Sequence, residues 1–504
     1  MLWIALHLPL LSLESFAATL AADQAAAPLA LVDVHHIATA NAAAAALGVE
    51  PGQKRATALA LAPQLVLGQA DAARDALALT AVAHAALAFT PSVCLQPAQD
   101  PNQSTDTVLL EVQPSLRYFG GLARLLRQLR ALLAPLAHRI QVASAPTPLG
   151  AALLARGLQR SHCADLATLG RALDVTPVWR LGPGREHWEA LQGMGLVTLA
   201  DLRRLPRSGL ARRFGPSLLA DLDRAYGDRP DPRVALTLPP VFESRLELFA
   251  RADTTEQVLH GAGMLLARLS AWLAAQHAFV RGFVLAMQHE PRWRNAAQVP
   301  AQTVLAVALA EPSRDAAHLQ VLLRERLAQL QLPAPTLELR LEAREIVPSA
   351  PPNGELFPSA ASEREGLVRL IERLQARLGA AQVQRLQAVH DHRPERASVL
   401  QPIDPARAPP RGASPPTGTA PLRPVWLLAP PEPLPERGAQ PLLAGRPLQL
   451  LSGPERIEVG WWDHELAARD YFIAQDGEGA LVWLYRTRLP QVDGSGWFLQ
   501  GRFG

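Results

Sequence analysis

Only a few places in this chain hold residues whose types and spacing could do chemistry. Asp106 opens an apolar strand-like run, residues 105–112, with Thr107 beside it and Glu111 further along. Hard divalent ions that activate a hydroxyl and hold a triphosphate need several carboxylates together. Yet residues 1–13, the other early apolar strand, contain no Asp or Glu. Gly182-Pro183-Gly184 lies among Arg180, Arg185, Arg203, Arg204, Arg207, Arg212 and Arg213. Glycines there let main-chain N–H groups at a helix start meet a phosphate, whereas a lone Gly-Pro-Gly is otherwise a turn. The arginines read equally as a phosphate-neutralising surface or as a solvated face, because Asp201, Asp221 and Asp223 are interspersed. Leu356-Phe357 is an apolar pair in a Pro-rich stretch, suited to a hydrophobic pocket on a partner or to packing on the next helix. Two distant cysteines, Cys94 and Cys163, argue against a disulfide framework or a Cys-rich metal site and fit a reducing, cytoplasmic setting.

The elements that must position these residues make an α+β, multi-domain chain. Its 504 residues correspond to three or four domains at about 150 residues each. With 49% apolar and 19% charged residues, global disorder is excluded. A net charge of +3 permits a nucleic-acid partner without requiring one, and Lys54 as the sole lysine reflects genomic base composition more than function. The first twenty residues lack the positive start of a secretory signal and are broken by Pro9 and Glu14, so they read as a buried strand and helix. No window gives about 18 uninterrupted apolar residues, so no membrane association is expected.

Residues 1–165 alternate strand-like and Ala/Leu-rich helical runs. Residues 166–235 read as short helices broken by glycines, and residues 240–348 as a β-α-β-β-α-β unit. A linker over 349–361 precedes a helix within 362–392, with Ser362 and Glu365 as a capping box and Leu367, Leu370, Ile371, Leu374 and Leu378 as its apolar stripe. Residues 393–440, dense in Pro and Arg, read as a tether. Residues 441–504 read as a small β-rich module whose core holds Trp461, Trp462, Tyr471, Trp483, Tyr485 and Trp497, with a hairpin at Asp476-Gly477-Glu478-Gly479.

In this order the pieces resemble the Y-family, DinB/UmuC-type translesion DNA polymerases over roughly residues 1–348. The telling segments are IATANAAAAALGV (37–49) with ALALAPQLVLGQAD (58–71), similar to the family's fingers, and TDTVLLEV (105–112), similar to its acidic palm strand. WRLGPGREHWEALQGMGLVTLADL (179–202) resembles the helix-hairpin-helix of its thumb, and 240–348 its little finger. The resemblance implies a site of three carboxylates, and this chain departs from it. The first ligand position falls on Ala5 and the second acidic position on His7, while Asp106 is kept and Thr107 stands for the Glu. The Tyr and Arg that hold the incoming triphosphate fall on Ala42 and Ala45, and the expected Lys falls near Leu154, with Arg156 the nearby cation.

The resemblance therefore implies a polymerase-like protein that is not an enzyme and needs no cofactor. It would bind damaged primer-template DNA through Arg180, Gly182, Gly184 and Arg185. Asn353, Glu355, Leu356 and Phe357 are similar to the family's sliding-clamp peptide, with Asn353 for Gln and Gly354 for Leu. The β-rich tail has no counterpart in ordinary translesion polymerases and is similar to that of a degenerate branch carried in bacterial mutagenesis cassettes. That branch implies an SOS-response role, with an error-prone replicative-type polymerase α subunit and a RecA-like accessory protein as partners. Two rival readings stand beside it: an active translesion polymerase using Asp106 with Glu111, and a generic helix-hairpin-helix repair protein without a clamp contact.

Overall fold

The computed structural model describes residues 1–503 except 22–23, 25–26, 98–104, 158–160, 292–298, 349–359, 404–421 and 491–494, and for 360–366 the backbone only. Two compact units result, Met1–Arg377 and Leu378–Gly504.

In the first unit, strand Trp3–His7 sits inside an antiparallel sheet, between strand Thr107–Glu111 and strand Gln141–Ala145, with Val93–Leu95 at the far edge. A strand so placed is buried on both faces, which suits its continuous apolar run. Ile4 and Leu6 face helices Ala72–Leu87 and Leu122–Leu133, while Ala5 faces helix Pro148–Ala155. Helix Ala72–Leu87 starts at Asp71, whose carboxylate accepts from the Ala73 and Arg74 amides at 2.8 and 3.1 Å. A smaller sheet, in the order His36–Ala40, Leu29–Asp33, Val66–Gln69, carries the short helices Ala42–Ala46 and Arg55–Leu61.

Short helices between Leu166 and Tyr226 share a core with helix Pro148–Ala155, built on Leu169, Leu173, Leu199, Leu202, Leu218 and Leu222. Beyond them, strands Glu243–Ala252, Ala278–His289, Gln302–Ser313 and Thr336–Pro348 form an antiparallel sheet in spatial order third, second, fourth, first. Helices Thr255–Ala275 and Ala316–Leu327 complete the expected β-α-β-β-α-β sequence. Helix Thr255–Ala275 is long and apolar enough to cross a membrane by length and composition, but most of it is buried here. It is the core helix of this sheet, with Trp272 fully enclosed and its indole N–H donated to the Pro239 carbonyl at 3.1 Å.

The next helix departs from expectation. It runs Ala360–Leu378, starting before Ser362 and ending well short of residue 392. Its buried face is Val368, Glu372 and Ala376, whereas Leu367, Leu370, Leu374 and Leu378 are exposed. The Glu372 carboxylate explains the inversion. It accepts from the Ala310 and Glu311 amides at 2.5 and 3.1 Å and meets His318 Nε2 at 3.1 Å, so strand Gln302–Ser313 and helix Ala316–Leu327 hold this side. Burial pushes the Glu372 carboxyl up, but the His318 ring and the two amides hold it below its ordinary value.

The second unit also begins earlier than residue 441. Strands Gln384–Ala388 and Ser398–Pro402 pair as a hairpin, and strand Trp426–Leu434 pairs with Trp497–Arg502 in a five-stranded antiparallel sheet. The reading of 393–440 as a tether is thus corrected over 393–403 and 422–440; residues 404–421 lie outside the described residues. Arg393 is the physical reason. Its guanidinium is buried and bridges Asp391 and Asp463 at 2.6 Å each, tying the Pro-rich stretch to the sheet. Tyr471, Trp483, Tyr485 and Trp497 are core residues as expected, but Trp461 and Trp462 are exposed at 75% and 54%, edge to face at 5.4 Å. The Asp476–Gly479 hairpin is present, the Asp476 carboxylate accepting from the Glu478 and Ala480 amides.

Glu372→Ala leaves two amides and an imidazole without their acceptor, so a loss of about 2 kcal/mol is expected. Amide exchange across Ala360–Leu378 should accelerate with it. Leu370→Ala, on the exposed face, should stay within about 0.5 kcal/mol; the reverse ranking would contradict the orientation of this helix.

Candidate functional site

Asp106 sits at the entry of strand Thr107–Glu111, where its carbonyl accepts from the Leu8 amide at 2.9 Å and fixes it beside the end of strand Trp3–His7. Its carboxylate, half-buried, is flanked by cationic and hydroxyl donors. Arg156, one residue past helix Pro148–Ala155, donates Nη2 to Oδ1 at 2.9 Å, and Thr107 Oγ1 donates to the same oxygen at 2.7 Å. His7 Nδ1 lies 3.2 Å from Thr107 Oγ1 and 3.5 Å from Asp106 Oδ1. Burial pushes the Asp106 carboxyl up, but the His7 ring and the Arg156 guanidinium outweigh it and hold the group well below the ordinary carboxylate range.

The strand register revises the sequence-based placement of two residues. His7, directly opposite Thr107, is the first-strand side chain that meets Asp106; Ala5 pairs with Leu109 and is fully buried in the core. Glu111, the substitute ligand of the active-polymerase reading, pairs with Trp3 at the other end of the strand, some 15 Å or more from Asp106 at about 3.3 Å per residue. The residues around Asp106 do not fit a pair of hard divalent ions. One carboxylate is present, one of its oxygens is committed to Arg156 and Thr107, and the guanidinium supplies the neighbouring positive charge. Among the described residues no group of three His, Cys, Asp or Glu could hold a metal.

Ala42 and Ala45 lie exposed on the helix that Asn41 caps, its Oδ1 accepting from the Ala44 amide at 2.8 Å and the Leu29 amide at 3.0 Å. Neither alanine offers a donor to a triphosphate.

The Gly182–Glu186 turn of helix is not the open phosphate loop expected. Gly184 is buried, and a Cβ there would lie 2.3 Å from the Val178 carbonyl oxygen, so this glycine serves close packing. Arg180 and Arg185 lie over the Trp179 ring at 5.5 and 5.7 Å, and burial lowers the Arg180 pKa. The open hairpin comes ten residues later. Helices Trp188–Gly193 and Leu199–Arg203 are joined through exposed Met194 and Gly195, the latter at φ +76°, with nothing within 4 Å of where a Cβ on Gly193 or Gly195 would be. Thr198 and Asp201 form a capping box at the second helix. The legible signal was Gly-x-Gly followed by that box. Of the surrounding arginines, Arg203, Arg204 and Arg207 pair with Asp228, Asp201 and Asp223, while Arg212 and Arg213 are exposed. Asn353, Glu355, Leu356 and Phe357 lie outside the described residues.

The folded pKa of Asp106 lies below the unfolded value near 3.9. Its pairing therefore contributes fully above about pH 4 and fades as the pH falls further. Asp106→Asn should cost on the order of 2 kcal/mol at pH 7. Denaturant melts should show that difference shrinking steadily below pH 4; a difference independent of pH would contradict the ion pair.

No family model matches the chain. Solved structures similar to it include an insertion ternary complex of Dbh DNA polymerase, 16% identical, and DinB from Sulfolobus solfataricus, 15% identical. Each is spanned in full and covers 69% of this chain, at TM-scores of 0.38 and 0.36. Protein ImuB of Caulobacter vibrioides, from strains NA1000 / CB15N and ATCC 19089 alike, is 30% identical over 485 residues. That alignment covers 91% of this chain and the whole of the relative. The chain belongs to the ImuB family.

Proposed function

We propose that the protein is a non-catalytic, polymerase-like DNA-binding adapter in damage-induced translesion synthesis and mutagenesis, working in the cytoplasm as part of the SOS response. The observation that carries this reading is the internal neutralisation of Asp106. Nucleotidyl transfer needs carboxylates free to share two divalent ions, and here a guanidinium and two further donors are aimed at the single carboxylate that remains. DNA would lie against the exposed Gly193–Gly195 hairpin, where the lack of side chains lets the phosphate backbone approach and nearby arginines meet phosphates without reading bases. Arg185 and Arg180, half sheltered by Trp179, would border that surface.

In this reading the clamp contact is the peptide Asn353, Glu355, Leu356 and Phe357, and the C-terminal unit meets an error-prone replicative-type polymerase α subunit and a RecA-like, ImuA-type accessory protein. Family membership and the peptide's apolar pair support that assignment.

Primer extension beside DNA binding on one preparation tests the catalytic half. DNA should be bound and no nucleotide added with Mg²⁺ or Mn²⁺; extension that Asp106→Ala abolishes would establish an active polymerase instead. The linking half is read by clamp binding. Leu356→Ala/Phe357→Ala should lose it while DNA affinity is unchanged, each anchor contributing about 2 kcal/mol; equal clamp binding by both proteins would move the contact elsewhere.

A further inference from the structure

One helix of the N-terminal part carries positive charge that no acidic side chain pairs with among the described residues. No Asp or Glu occurs between Glu111 and Asp165, although seven arginines do. Four of them, Arg117, Arg124, Arg127 and Arg130, are exposed on or just before helix Leu122–Leu133, and none forms an ion pair among the described residues. The thumb-like arginines differ, since aspartates hold three of them. Leu125, Leu126, Leu129 and Leu133 face the core. At about 100° per residue, Arg124, Arg127 and Arg130 then fall within an arc of about 120°, spread over about 9 Å of helix axis.

A second observation adjoins the row. Tyr118 is 86% exposed, an unusual position for an aromatic ring without a partner to cover it. It stands one turn before the helix, on the far side of Gly120-Gly121, and the Arg124 side chain reaches back to within 3.4 Å of where a Cβ on Gly120 would lie. Phe119 packs edge to face on Tyr118 at 4.9 Å and fixes it. Tyr118 also walls a cleft of about 720 Å³ lined by Phe89, Pro91, Pro114, Phe119, Leu238 and His277, large enough to admit an unstacked base.

We propose that this face is a second nucleic-acid site, one that takes single-stranded DNA, with phosphates along Arg124, Arg127 and Arg130 and a base stacked on Tyr118 at the mouth of the cleft. A row of cations fits any polyanion. The exposed ring beside an apolar cleft is what selects a strand with unpaired bases over an acidic protein, because stacking on an aromatic side chain needs a free π-face. The site shares no residue with the Gly193–Gly195 hairpin. Its functional sense follows from chemistry: a protein working where synthesis has stalled meets single-stranded template as well as a duplex end.

The test is anisotropy of a labelled oligo(dT) titrated with the full chain at several salt concentrations. Arg124→Gln/Arg127→Gln/Arg130→Gln should weaken binding at least tenfold near 0.1 M salt and lower the slope of log K against log salt by about 2, at ~0.7 per phosphate contact. Tyr118→Ala should weaken it roughly tenfold with the slope unchanged. All four positions are exposed, so melting curves should match wild type and serve as the folding control. Unchanged affinity and slope in the triple variant would overturn the proposal. So would a triple variant that loses polyglutamate and oligo(dT) equally while Tyr118→Ala binds like wild type, which would mark a surface for an acidic polypeptide. Loss of primer-template duplex binding on substituting the hairpin region, with oligo(dT) binding retained, would separate this site from the one proposed above.

Discussion

Strand Trp3–His7 is hydrogen-bonded along both edges and enclosed on both faces, and much of the first unit is arranged around that confinement. Its neighbours on either edge must present apolar side chains to two separate clusters, so each of the two flanking helix layers is specified by alternate residues of a five-residue segment. Buried charge is tolerated in such a strand only at its end. His7 is that end, and it is there, beside the entry of the Thr107–Glu111 strand, that the polar cluster sits. A carboxylate at Ala5 would be enclosed by Leu109 and Ala143, with full desolvation and no donor to offset it.

The same logic orders the polar interior elsewhere. Glu372 and Arg393 are each buried with several partners, and each joins chain segments that apolar patterning alone would leave apart. A buried ion pair is weak evidence for net stability, since desolvation offsets much of its attraction. What these two fix is orientation: which face of helix Ala360–Leu378 turns inward, and where the Pro-rich segment joins the C-terminal sheet.

This explains what the sequence could and could not reveal. Alternation and length were enough for strands Trp3–His7, Thr107–Glu111 and Gln141–Ala145 and for the β-α-β-β-α-β unit, because their faces are set by many apolar residues at once, but not for the three-residue edge strand Val93–Leu95. For the helix after the linker, leucine count points to Leu367, Leu370, Leu374 and Leu378 as the inward face, whereas one satisfied carboxylate, Glu372, decides it. The start of the C-terminal unit is hidden for a similar reason: Pro and Arg density signals exposure, and nothing in spacing announces that Arg393 finds Asp463 seventy residues away. At the candidate site the loss of carboxylates was legible from residue types. The register that makes His7, rather than Ala5, the neighbour of Asp106 required the strand pairing, and the role of Arg156 required the third dimension.

The guanidinium at Asp106 has an evolutionary consequence. Were Asp106 unpaired, one substitution placing a carboxylate on the opposing strand would move the site toward metal binding. With Arg156 in place, an acid introduced at position 7 or 107 would find a resident cation with directed hydrogen bonds, and would join an internal ion pair before it could recruit a solvated ion that sheds water reluctantly. A metal site here would need the acid gained and the arginine removed, and either change alone leaves a charge poorly matched. The arginine acts as a ratchet: with its hydrogen bond to Asp106 in place, no single gained carboxylate makes this corner of the sheet a site for hard cations.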